Sequence, residues 1–110
     1  MKKPDVLRKQ EDFTRLYKKG KSSGTRILVL LTRKNGLSTN RKAFLASKKV
    51  GNSVCRNRAR RLMKEAFRKT EAELPQGYDF LLIARQQILD CKCHQVEQSL
   101  RAAFKKNGLI

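Results

Sequence analysis

Residues 48–69 concentrate cations at a spacing that suits one chemistry, the recognition of phosphate. Arg56, Arg58, Arg60, Arg61, Lys64 and Arg68 follow a Gly51-Asn52-Ser53 turn that can open a helix. At 3.6 residues per turn Cys55, Ala59, Leu62, Ala66 and, more marginally, Met63 share one side, while Arg56, Asn57, Arg60, Arg61, Lys64 and Arg68 share the other. Arginine presents a planar fork to phosphate oxygens and can also stack on bases. Like charges at i, i+4 repel by about 0.2–0.5 kcal/mol per pair, and a polyanion turns that repulsion into binding. The competing reading is a solvated basic face, which the near absence of acidic partners along the helix disfavours. Arg58 lies toward the apolar edge and also fits a snorkelling structural residue. Asn52 suits a helix cap by its spacing. Asn57 is a poor helix former in mid-helix, which a contact to RNA or a hydrogen bond within the protein would explain.

Other chemistry-bearing residues are fewer. Phe13, Leu16 and Tyr17 form a stripe at i, i+3, i+4. Core packing is the plain reading of that stripe. Stacking of unpaired bases, worth about 1–3 kcal/mol per base, is the functional one. Cys91, Cys93 and His94 invite a zinc site, but a fourth ligand and a second cysteine pair are missing. His94 is the sole histidine, Asp79 and Asp90 stand alone, and Glu11 and Asp12 suit a helix start. No acid cluster suited to two metals is visible, so no protein active site is expected.

The elements that must position these residues are legible from periodicity and punctuation. A helix is expected over 9–19, closed by Gly20, then a polar loop over 21–25 and a buried strand over 26–32. Asn35-Gly36 marks a turn before a second strand over 41–47, whose Arg41-Lys42 start reads as wet. The basic helix runs over 53–70, Pro75-Gln76-Gly77 breaks the chain, and the clearest strand covers 78–85. Residues 86–92 are ambiguous, and 93–106 reads as a helix with Val96, Leu100, Ala103 and Phe104 on one face. The order α-β-β-α-β-α gives an α+β (mixed α/β) fold, a small central sheet with helices packed on it, with a β-α-β unit if the strands flanking the basic helix are parallel neighbours.

The 110 residues make one domain, 1–110, with 1–8 and 107–110 expected to be flexible. Net charge is +18, from 27 Lys and Arg against 9 Asp and Glu, and the surplus is spread along the chain. Self-repulsion on that scale implies an anionic partner. No run of about 18 apolar residues exists to span a membrane, and no apolar stretch follows the N-terminal charges as in a signal peptide. Three cysteines do not make a disulfide frame, so a cytoplasmic setting is expected.

The run Ser47-Lys48-Lys49-Val50-Gly51-Asn52-Ser53-Val54, continued by Arg56-Asn57-Arg58 and Arg60-Arg61, resembles the signature of the bacterial ribonuclease P protein subunit. Glu11-Asp12-Phe13, Tyr17-Lys18, Gly20 and Ile83-Ala84-Arg85 also sit where that family has similar segments. The resemblance spans roughly residues 9–105, nearly a whole domain of this class. It implies a protein that pairs with a large catalytic RNA and helps it remove the 5′ leader of precursor tRNA. The RNA supplies the chemistry with Mg2+, bound mainly by the RNA, and no obligate protein partner is implied. It also implies a left-handed β-α-β crossover, as in one domain of a small-subunit ribosomal protein. By position, Lys48, Lys49, Asn52, Arg56, Asn57, Arg58, Arg60, Arg61, Lys64 and Arg68 would meet the catalytic RNA. Phe13, Tyr17, Lys21, Arg26, Leu31 and Arg85 would line a leader cleft, with Arg33 and Lys34 nearby. Leu31 stands where many relatives have an aromatic residue, and Ser53 where alanine is common. A ribosomal or other structured-RNA-binding protein is the alternative. A DNA-binding module and a stand-alone metal-dependent nuclease are weaker rivals.

Overall fold

Alternation along the strands decides what covers each side of the sheet. The structure, a computed structural model, describes Leu7 and residues 9–110. Its elements are α1 (Gln10–Lys19), β1 (Lys21–Gly24), β2 (Leu28–Lys34), β3 (Arg41–Leu45), α2 (Ser53–Thr70), β4 (Tyr78–Ala84) and α3 (Cys93–Lys106). Two 3₁₀ turns, Glu71–Glu73 and Gln86–Asp90, flank β4; the second resolves the ambiguous stretch. The sheet order is β1-β2-β4-β3, antiparallel except for the parallel pair β3 and β4, so the expected β-α-β unit is present.

Leu28, Leu30, Phe80 and Leu82 point toward α2 and α3 and bury there with Met63, Phe67, Val96, Leu100 and Phe104. Phe67 sits at the centre of this layer, edge-on to Phe44, Phe80 and Phe104 at 5.3–6.2 Å between ring centroids. Such edge-on pairs each contribute about 0.5–1.5 kcal/mol beyond their burial. Leu31, Ala43 and Leu81 point the other way and are covered by Leu16 of α1 and by Leu7, with Phe13, Val29 and Ile83 at the rim. The position that ends α1 takes glycine, since a Cβ there would lie 2.3 Å from the Leu16 carbonyl oxygen.

Several expectations need correction. Residues 21–24 form an edge strand, adding one strand to the expected order. Asn107 holds it in place: its amide donates to the Lys21 carbonyl at 3.2 Å and to Ser23 Oγ at 3.1 Å, while Thr32 Oγ1 donates to Asn107 Oδ1. Asn107 is thus buried and tied to both β1 and β2. Gly108 at φ +80° lets Leu109 N–H reach the Phe104 carbonyl and Gly108 N–H reach that of Lys105, a Schellman closure of α3. Of the 1–8 lead-in, Leu7 is buried and its N–H donates to the Lys42 carbonyl at 3.0 Å on the outer rim of β3; the rest of that expectation lies outside the described residues. Met63 is fully buried at the middle of the α2 core face, whereas Cys55 and Leu62 lie at its margin.

Candidate nucleic-acid interface

The turn that starts α2 is built for its sequence. Gly51 has φ +149°, and a Cβ there would press to 2.9 Å from that of Cys55. Asn52 Oδ1 accepts from Cys55 N–H at 3.0 Å, confirming the cap. Val50 is buried beneath the turn, so Lys48 and Lys49 project from an anchored loop. Along the outer face Arg58, Arg61, Lys64 and Arg68 are exposed, and Arg56 and Arg60 are half-buried. Arg58 therefore faces solvent and is not a snorkelling core residue. Asn57 accepts from Arg60 Nη2 at 2.8 Å, which aims that guanidinium without satisfying its other donors. Arg56 donates through Nη2 to Ser53 Oγ, while its buried Nε has no hydrogen-bond partner among the described residues. Arg68 is engaged by Glu65 of its own helix. Its hydrogen bond lowers the Glu65 carboxyl below the usual range and raises the Arg68 guanidinium.

α2 and β3 bound a groove of about 520 Å³ that brings several of these groups together. Phe13 enters it from α1, Phe44 and Leu45 from β3, and Arg60, Lys64 and Arg68 from α2. Phosphate-seeking cations thus stand beside aromatic and aliphatic surface, the combination that holds a single-stranded nucleic acid. Lys42 also lines the groove, but its ammonium contacts Glu71 at 2.8 Å and lies 5.5 Å from the Phe67 ring centroid. Sequence reasoning missed Phe44; its alternation against Ala43 on β3 was the available signal.

α1 is held against the sheet by a charged pin. Arg41 donates through Nε and Nη2 to both oxygens of Asp79, at 2.9 and 2.8 Å, and through its two Nη atoms to Asp12 at 3.2–3.3 Å. Asn35 Nδ2 donates to Asp79 as well, at 3.0 Å. The hydrogen bond that Arg41 donates to Asp79 raises the Arg41 pKa above its ordinary value despite partial burial. The start of β3 is therefore not wet, Asp79 is not alone, and Asp12 does more than suit a helix start.

The remaining predicted residues scatter. Tyr17 is 57% exposed on α1, off the core stripe that contains Leu16. Leu31 is buried and packs with Leu16 of α1 in the core of that face, with Phe13 at its rim. Arg85 and Arg26 belong to one end of the sheet, where the Arg85 guanidinium lies 3.2 Å from the Cβ position of Gly24. Lys21, Arg33 and Lys34 gather at the other end. The five thus fall into two groups at opposite ends of the sheet. Cys91 is core, Cys93 is half-buried and His94 exposed.

Side-chain carboxylates among the described residues are spent on internal pairs. Glu11 is paired by Arg15, Asp12 and Asp79 by Arg41, Glu71 by Lys42, Glu65 by Arg68, and Glu73 and Glu97 by Arg101; Asp90 is the exception. Arg101 is raised by its hydrogen bond to Glu73. No group of three or more His, Cys, Asp or Glu among the described residues could hold a metal ion. No described helix is long and apolar enough to cross a membrane.

Comparison with known proteins agrees with this geometry. The family model for ribonuclease P matches residues 1–108. The ribonuclease P protein component of Alkaliphilus oremlandii is 40% identical over 110 residues, covering 100% of this chain and 96% of that one. That of Pelotomaculum thermopropionicum is 42% identical over 106 residues, covering 96% and 95%. Among solved structures, the ribonuclease P protein of Staphylococcus aureus superposes with a TM-score of 0.85 at 33% identity, covering 97% of this chain and 98% of that one. The Thermotoga maritima protein superposes with a TM-score of 0.81 at 30% identity, covering 92% and 96%. With family model, relatives and fold in accord, the chain belongs to the ribonuclease P protein family.

Proposed function

We propose that the outer strip of α2, with the Lys48-Lys49 turn, docks on the catalytic RNA of ribonuclease P, and that the Phe13 side of the groove receives the single-stranded 5′ leader. The chain is the protein subunit of that ribonucleoprotein, which removes the leader from precursor tRNA, and the catalytic groups reside in the RNA. One observation carries the assignment of surfaces. The cations of α2 that lack a carboxylate partner, Arg60 and Lys64 among them, meet Phe13 and Phe44 in one groove fixed to a rigid sheet. Phosphates meet the cations, and bases can stack on the rings.

Magnesium does not fit the described residues, because every described side-chain carboxylate but Asp90 is paired and no group of three or more donors is present among them. The metal in this reading sits on RNA phosphates, and no step of the protein's work runs through a protein-bound ion. A cytoplasmic location follows from the same reading. Reconstitution tests it: protein, catalytic RNA and precursor tRNA at low magnesium. Cleavage should require the RNA and be raised by the protein. Cleavage by protein alone, or no effect of the protein on the RNA, refutes the reading.

A further inference from the structure

At the end of the sheet far from the motif turn lies a depression of about 410 Å³ lined in part by Lys19, Lys21, Arg33, Lys34, Tyr78 and Asn107. Its cations come from three elements: the last turn of α1, β1 and the end of β2. The register sets Lys21 beside Thr32 and Lys34 beside Tyr78, on the face that carries α3. The Lys21 ammonium lies 3.7 Å from the Cβ position of Gly108, folded over the end of α3. None of the four cations contacts a carboxylate among the described residues. Asp79, the register partner of Arg33, is buried and committed to Arg41 and Asn35. The dipole of α1 accounts for Lys19 but not for the three cations on strands. Asn107 ties β1, β2 and α3 together beneath them, so the floor is rigid.

We propose that this concavity is a second docking site for RNA backbone, occupied by a stretch of the catalytic RNA distinct from the one on α2. The inference rests on the reading that the chain binds that RNA. Strand β2 has seven residues, so roughly 20 Å separates this end from the motif turn at about 3.3 Å per residue. Neither Phe13 nor Tyr17 is among the residues that line the concavity, which sets it apart from the aromatic groove beside α2. Only a large folded partner reaches both ends of a domain 36 Å long. Two linked contacts then reinforce each other by effective concentration, and the protein braces two RNA segments at a fixed spacing.

The test is binding of full-length protein to the catalytic RNA alone over a series of salt concentrations. The variant Lys19→Gln/Lys21→Gln/Arg33→Gln/Lys34→Gln should bind about 10–100-fold more weakly at moderate salt, with a salt slope shallower by roughly 2–3. The milder Lys21→Gln/Lys34→Gln, at two exposed positions, should show about half the change in slope with an unaltered melting curve. Unchanged affinity and slope in both variants would overturn the proposal. Loss confined to precursor affinity of the assembled enzyme would overturn it too, by assigning the surface to the substrate. Wild-type protein in the same assay separates the two readings. If it fails to bind the RNA, the parent reading falls; if it binds and both variants match it, only the second site falls.

Discussion

Arg41 grips Asp79 with two parallel hydrogen bonds, and the same guanidinium reaches Asp12 on α1. The helix that carries Phe13 is thereby fixed to the strand that carries Phe44. Arg41→Ala would strip Asp79, at 7% side-chain exposure, of its cation and leave the equally buried Asp12 with only Arg15 at 3.7 Å. Removing one member of such a set costs about 3–5 kcal/mol. Thermal unfolding should show that loss, and Asp12→Asn a smaller one. An Arg41→Met/Asp12→Asn/Asp79→Asn variant should recover part of it; a melt as low as that of Arg41→Ala would contradict this account.

Arg56→Ala with Arg60→Ala removes two cations that no carboxylate pairs. Both side chains are half-buried and hydrogen-bond within their own helix, so each truncation should cost no more than about 1 kcal/mol of stability. The slope of log affinity for the catalytic RNA against log salt should become shallower by roughly 1.5–2. Filter binding at several salt concentrations reads this directly, and an unchanged slope would remove α2 from the interface.

Phe13 and Tyr17 should separate in their effects. Tyr17 is exposed, so Tyr17→Ala should leave the melting temperature unmoved while weakening binding of leader-bearing precursor by about 1 kcal/mol, the lower end for a stacked base. Half-buried Phe13 should lose both stability and leader affinity. Comparing precursor with mature tRNA provides the control; equal weakening for both RNAs would assign the rings to packing.

Glu65 restrains Arg68, so Glu65→Gln should tighten RNA binding and steepen the salt slope by up to about 0.7–0.9. The wild-type Glu65 carboxyl titrates below the usual range because Arg68 donates to it. Its contribution to folding is therefore complete above the unfolded-state pKa and disappears as pH falls through the lowered folded value. A carboxyl titration followed by NMR in the free protein should show the depression and its loss in Arg68→Ala.

Asn107→Ala should free the edge strand. It strands the Thr32 hydroxyl and the Lys21 carbonyl, at about 1–3 kcal/mol for buried groups left unpaired. Hydrogen exchange should quicken first at Ser22 and Ser23, before the β2–β4 ladder opens.

What the sequence discloses and hides follows from how local each cause is. The Gly51-Asn52 cap, the two-sided α2 and the β3–α2–β4 unit are set by neighbours within a turn or by strict periodicity, so they were legible. β1 was not, because Lys21-Ser22-Ser23-Gly24 has little strand preference and pairs only because β2 and Asn107 receive it. The Arg41 pin was hidden for the same reason: its partners lie 29 and 38 positions away in the chain. Leu31 read as a cleft residue by its place in a family pattern, yet α1 closes over it. The phosphate-binding strip was plain from composition, whereas its meeting with Phe13 and Phe44 required the fold.

The backbone contact between Leu7 and Lys42 has a practical consequence for handling the protein. β3 is an outer strand, and a bare outer strand templates pairing with another chain. A version trimmed past Leu7, or carrying a bulky fusion against it, should lose that cover and form sheet-linked aggregates at high protein concentration, most of all where salt masks the mutual repulsion of its cations.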